Sequence, residues 1–220
     1  MQVSQIRIRH LGQVEYEQAY EGMRQFTKER LPNTCDEIWV LQHPPVFTLG
    51  LAGDPSNLHR PIDSIALIEV DRGGEITYHG PGQIVIYLLF DLKRKKLFVK
   101  ELVSRLEQSV IDALSEYGIS AERKPGAPGI YIAKQDKVGS NYWGAKIAAL
   151  GLKITKQCSY HGLALNIDMD LSPFDAIHPC GYEGLKAIDL RTLGIGENID
   201  LVTNRLLQHL QNQLRLELAQ

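Results

Sequence analysis

Apolar and polar positions alternate across residues 2–9, the period of a strand with one face buried. From Glu15 to Arg30 the period changes. Tyr16, Ala19, Tyr20, Met23 and Phe26 recur three and four residues apart, which predicts an amphipathic helix ending before Leu31-Pro32-Asn33, with its aromatic stripe in the core. Glu37 to Gln42 reads as a strand, His43-Pro44-Pro45 stops it, and Val46 to Gly50 restarts it. Residues 51–63 read as loop, and Ile65 to Val70 as a further strand. That strand feeds the glycine-rich stretch Arg72 to Gln83, which is followed at once by the apolar run Ile84 to Phe90, a buried strand.

The second half repeats the vocabulary. Leu97, Val99, Leu102, Leu106, Val110, Ala113, Leu114 and Tyr117 give one helical region from Leu92 to its natural stop at Gly118. A short strand at 119–122, a Pro/Gly turn and a strand at 130–133 follow. Lys134 to Gly144 is a long polar hairpin tip, and Lys146 to Ile154 a strand interrupted by Gly151, where a bulge or a close backbone approach is expected. Cys158 to Ile167 is the next strand, and the chain returns to helix from Asp200 to Leu216. Strands and helices do not alternate regularly, so the expected fold is α+β: a mixed β-sheet core with packed helices. Residues 1–220 are expected to form a single catalytic domain, with a smaller C-terminal lobe from about Leu171.

Composition narrows the partners. At 220 residues and 44% hydrophobic the chain can bury one substantial core. Lys plus Arg is 24 and Asp plus Glu is 26, a net charge of −2, which argues against wholesale binding of nucleic acid or membrane. No apolar run reaches the length of a membrane span, and the N-terminus lacks the apolar core of a signal peptide, so a cytoplasmic protein is expected. The run Lys93-Arg94-Lys95-Lys96 is ordinarily a solvated face and matters only if the partner is acidic.

A stretch as dense in glycine as Arg72 to Gln83 cannot bury itself and must lie at a surface or line a cavity. Arg72, Thr77, His79 and Gln83, interleaved with the glycines, favour a ligand-facing loop over a plain turn. Of the three cysteines, Cys35 sits beside two acids that disfavour a thiolate, and Cys158 begins a strand and reads as packed. Cys180, between Pro179 and Gly181, is placed as a nucleophile could be, though a structural role is as good a reading. An odd count with no Cys-x-x-Cys pair argues against disulfides and structural zinc. Lys146 stands in an apolar stretch, where it serves either as a charge guarding a sheet edge or as a partner of a thiolate.

Four blocks occur in order: Arg72 through Tyr87, Lys146-Ile-Ala-Ala-Leu-Gly151, His161-Gly-Leu-Ala-Leu-Asn166 and Pro179-Cys180-Gly181. Together they resemble the lipoyl (octanoyl) transferases of the lipoate-protein ligase B family, over about Leu41 to Leu193. The resemblance implies a fold similar to the catalytic domain of biotin and lipoate ligases. It implies transfer of an octanoyl group from octanoyl-acyl carrier protein to a specific lysine of lipoyl domains, in the E2 subunits of 2-oxoacid dehydrogenases and the glycine-cleavage H protein. It implies no cofactor, and a monomer is expected. By this resemblance Cys180 is the nucleophile and Lys146 the lysine that lowers its pKa. Substrate contacts fall on Arg72, Gly73, Gly74, Glu75, Ile76, Thr77, Tyr78 and His79, on Ala149, Leu150 and Gly151, and on Gly162, Leu163 and Ala164. The tip from Lys134 to Gly144, with Tyr142-Trp143, is longer than the family's turn. The competing reading is an ATP-dependent lipoate or biotin ligase, which makes an acyl-adenylate and needs no cysteine. Acidic carrier proteins would also give the Lys93–Lys96 run a steering role.

Overall fold

The structure, a computed structural model, describes residues 6–179 and 184–215. Strand β1 (Ile6–Gln13) and helix α1 (Tyr16–Glu29) lead into β2 (Asp36–Gln42), β3 (Val46–Leu49), β4 (Ala66–Glu69), β5 (Ile76–His79) and β6 (Gln83–Leu89). Helices α2 (Leu92–Lys95) and α3 (Val99–Ser115) precede β7 (Ala121–Lys124), β8 (Ala127–Ile132), β9 (Lys146–Thr155) and β10 (Cys158–Asn166), and α4 (Ile199–Leu214) closes the described chain. The α+β expectation is met, with two sheets where the pattern suggested one. A seven-stranded sheet runs β1-β2-β6-β10-β9-β8-β7, and a three-stranded sheet runs β4-β3-β5. Both are mixed: β1–β2 and β3–β4 pair parallel, and the other pairs are antiparallel.

Strand β6 is buried along its whole length, which is why its sequence is continuously apolar rather than alternating. Ile84, Ile86 and Leu88 face a cluster with Leu102, Leu106 and Val110 of α3 and Val202, Leu206 and Leu210 of α4. Val85, Tyr87 and Leu89 face Ala19 and Met23 of α1 on the other side. Phe47, Ile76 and Tyr78 of the small sheet form a separate cluster with Phe174.

Two local expectations change, and a third is resolved between its alternatives. The glycine-rich stretch is not all loop, because β5 lies inside it and pairs antiparallel with β3. The single helix from Leu92 is two, broken at Lys96, which takes a left-handed φ of 51°. Of the two alternatives expected at Gly151, the close backbone approach is the one found: β9 and β10 pair in unbroken register from Thr155↔Cys158 to Ala148↔Leu165, and the Gly73 carbonyl packs against Gly151.

The basic run has a structural task. Asp36 is fully buried at the start of β2, paired with Arg30, with Arg94 at 2.6 Å and with Lys95 at 3.4 Å, and it accepts from the backbone N–H of Asp91 at 2.9 Å. Asp91 in turn bridges Cys158, at the far end of the β9–β10 hairpin from Lys146. A ten-residue strand at about 3.3 Å per residue puts these ends roughly 30 Å apart.

Candidate active site

The central strands carry small residues on one face where a core would carry large ones. Gly151 lies opposite Gly162, and Ala149 opposite Ala164. These two cross-strand pairs, with Val85 and Tyr87 of β6, floor a cavity of about 250 Å³. Tyr16 closes it from α1, and Val99 and Val103 reach it from α3. Along β9 its lining runs from Lys146 to Leu152, and Pro128 and Pro179 complete it beside Lys146. The walls are overwhelmingly apolar, a slot suited to a hydrocarbon chain.

The roof is the stretch from Arg72 to Thr77, and glycines let it approach. Gly73 N–H donates to the carbonyl of Leu152 at 2.9 Å, joining the loop to β9 beyond the last β8 pairing at Ala149. A Cβ on Gly151 would stand 2.9 Å from the Gly73 carbonyl, and one on Gly162 only 2.0 Å from the Ile86 carbonyl, so no side chain fits at either position. Arg72 is buried and pins the loop: its Nη2 donates to the carbonyl and the hydroxyl of Thr48 at 2.8 and 2.9 Å, and its Nη1 to the Gly73 carbonyl at 3.1 Å.

Of the substrate contacts expected from the sequence, Arg72 to Thr77, His79, Ala149 to Gly151 and Gly162 to Ala164 all line this cavity. Tyr78 does not. Its ring packs instead on Phe47 and Phe174. Lys146 lines the cavity, and Cys180 lies outside the described residues. Lys146 Nζ donates to the Pro128 carbonyl at 3.0 Å and sits 5.6 Å from the Tyr131 ring centroid.

A chain of amides ties the lysine's strand to the segment that follows Cys180. His79 Nδ1 donates to Gln83 Oε1 at 2.7 Å, Gln83 Nε2 donates to Asn166 Oδ1 at 2.9 Å, and Asn166 Nδ2 donates to the Ile188 carbonyl at 3.0 Å. Ile188 N–H donates to the Lys146 carbonyl at 3.0 Å, and Lys146 N–H to the Lys186 carbonyl at 2.8 Å. Residues from the glycine block and from β10 therefore hold one frame around Lys146.

Tyr16, Tyr87 and His161 also line the cavity, and the sequence reading did not assign them a role there. His161 is 1% exposed and adopts φ +60° within β10, a conformation rare for a residue with a side chain. Its Nε2 meets Asp71 Oδ1 at 3.3 Å, while Tyr160 O–H also donates to Asp71. Burial opposes ionisation of Asp71, but hydrogen bonds from His161, Tyr160 and Tyr20 outweigh it and hold the carboxyl well below its usual range. The irregular backbone at His161 and the register that brings it over Tyr87 are tertiary facts with no local signature.

His43 stands behind Tyr87. Because the Val14 carbonyl accepts at 2.7 Å, His43 Nδ1 carries the proton and Nε2 accepts from Tyr87 O–H at 2.7 Å, a neutral imidazole. Burial lowers its pKa to about 4. The unfolded chain therefore binds this proton first, and stability present above about pH 6.5 drains away as pH falls toward 4. His79, lowered by burial as well, acts in the same direction. Thermal melts should show Tm falling between pH 7 and 5, with a shallower fall for His43→Gln; parallel curves would remove His43 from this account.

The fold is that of solved lipoate and biotin protein ligases. A solved structure of a bi-partite lipoate protein ligase and its E2 lipoyl domain from Thermoplasma acidophilum aligns at TM-score 0.71 and 12% identity, covering 100% of this chain and 87% of that one. Biotin protein ligase from Aquifex aeolicus, in complex with biotin and ATP, aligns at TM-score 0.58 and 14% identity, covering 95% and 70%. Residues 15–211 match the lipoyl protein ligase A/B catalytic domain. A protein of Polynucleobacter necessarius subsp. necessarius (strain STIR1) named octanoyltransferase is 64% identical over 207 residues, covering 94% of this chain and 97% of its own. The chain belongs to the lipoyl protein ligase A/B catalytic domain family, and within it to the octanoyltransferases.

Proposed function

We propose that this acyltransferase moves an octanoyl group from octanoyl-acyl carrier protein to one lysine of a lipoyl domain, through a thioester on Cys180. The observation that carries this reading is the apolar slot that leads past Lys146 to Pro179, the residue before Cys180, in a chain so close to named octanoyltransferases. The Cys180 thiolate, its proton passed to Lys146, attacks the carrier's thioester carbonyl; a C–S bond to Cys180 forms, the C–S bond to the carrier breaks, and the carrier sulfur leaves as a thiol with the proton given up by the Lys146 ammonium. The lipoyl-domain amine then attacks, a C–N bond forms, and the C–S bond to Cys180 breaks. Lys146, as the neutral amine, takes the proton the nucleophile sheds. Exchange of one thioester for another needs no ATP. The targets are lipoyl domains of E2 subunits and of H protein, met in the cytoplasm by a monomer.

Intact mass after mixing with octanoyl-acyl carrier protein, without ATP, tests this beside Cys180→Ser. One octanoyl group gained, removed by hydroxylamine and absent from the variant, is the expected result. No adduct, with transfer only when ATP is supplied, would mean a ligase instead.

The floor makes a second expectation. Ala164→Leu places a branched side chain where Ala149 and Ala164 leave room. Octanoyl transfer should fall at least about tenfold, hexanoyl less, because one or two methylenes are worth roughly 1–3 kcal/mol in such a slot. Equal losses for both chain lengths would show that Ala164 does not bound the acyl chain.

A further inference from the structure

A second groove, of about 670 Å³, opens on the other side of the strand start that carries Lys146. Tyr131, Ala145 and Ile188 form its apolar floor, and Tyr142 and Trp143 of the long tip stand over it, 40% and 59% exposed. Lys124 and Lys186 line it, and Lys134 and Lys137 are exposed on the same tip, with Lys134 Nζ 5.4 Å from the Trp143 ring. No Asp or Glu is among its described lining residues. The only carboxylate from Lys134 to Gly144 is that of Asp136, buried and accepting from the backbone of Ser120 and Gly139. In a chain of net charge −2 this is a local concentration of one sign around exposed aromatic surface.

We propose that this groove docks the acidic carrier protein that delivers the acyl thioester, an assignment that rests on the function proposed above. Charge complementarity is one argument and offset the other. The groove adjoins the site without covering it: Lys186 lines the groove, and its carbonyl takes the Lys146 N–H. A thioester carried on a long arm tolerates a carrier seated beside the entrance. A target lysine is short, so its domain has to sit over the entrance itself. The Lys93–Lys96 run is poorly suited to this task, since Arg94 and Lys95 are engaged by Asp36 about the length of β9 away.

The test is steady-state kinetics of the full-length enzyme carrying Lys134→Glu and Lys137→Glu together, with Trp143→Ala as a variant that leaves charge and core untouched. KM for octanoyl-acyl carrier protein should rise at least about tenfold in the first and about fivefold in the second, with kcat within about twofold. The salt dependence of kcat/KM should flatten in the charge variant only. KM for octanoyl-pantetheine, a protein-free thioester, and for the lipoyl domain should not move. A carrier KM within twofold of wild type in both variants, or a rise in the lipoyl-domain KM in its place, would overturn the docking site. Wild-type enzyme that forms no adduct even with octanoyl-pantetheine would fail at the chemistry, taking the docking with it. An adduct in wild type with unchanged carrier KM in the variants would remove the docking alone.

Discussion

Lys146→Met is expected to slow octanoyl transfer to a lipoyl domain by roughly 10²- to 10⁴-fold, the usual contribution of a positioned proton acceptor. Methionine keeps the length and the apolar stem, so the slot stays filled and the loss belongs to the amine. The geometry favours a specific role. Nζ is held by the Pro128 carbonyl at 3.0 Å, its strand is fixed on both backbone groups by residues 186 and 188, and Pro179 lines the cavity alongside it. Single-turnover experiments locate the defect. Acyl-enzyme preformed on Cys180 should persist in the variant while it discharges promptly in wild type. Transfer within tenfold of wild type would exclude Lys146 as the acceptor of the lysine's proton.

Asp36→Ala should destabilise the fold by about 3 kcal/mol, the lower part of the range for breaking a buried ion pair. The wild-type carboxylate is fully buried and answers three cations, and its removal leaves Arg30, 5% exposed, without its counter-charge. For a domain of this size the corresponding loss in Tm is roughly 6–12 °C. The cluster lies the length of β9 from Lys146, so the folded variant should retain its transfer rate at moderate temperature. A Tm within 2 °C of wild type would show that water or backbone motion readily replaces the carboxylate. Activity lost while Tm is unchanged would give this end of the sheet a functional role that its distance from Lys146 does not suggest.

The alternation and helical spacing of apolar residues determined nearly every element, because those periods reflect which face of a strand or helix is buried. They could not assign strands to sheets. β3, β4 and β5 look like members of the main sheet, since a strand's own sequence does not say which edge it will find. Nor did they show β5 within the glycine stretch, where Gly73 and Gly74 before it and Gly80 and Gly82 after it masked four paired residues.

The motifs in sequence pointed to Arg72, the glycines beside it, Lys146, and the small residues of the paired strands. Only the register of β9 on β10 set Gly151 against Gly162 and Ala149 against Ala164, which turns two unremarkable stretches into one cavity floor. Tyr16, 71 residues from Tyr87 in the chain, is unreadable as a cavity wall from an amphipathic stripe, since a residue facing a core and one facing a slot have the same period. Chemistry is written in residue types and can be read locally. The space in which it happens is defined by surfaces left unfilled between elements distant in sequence, and packing alone decides those.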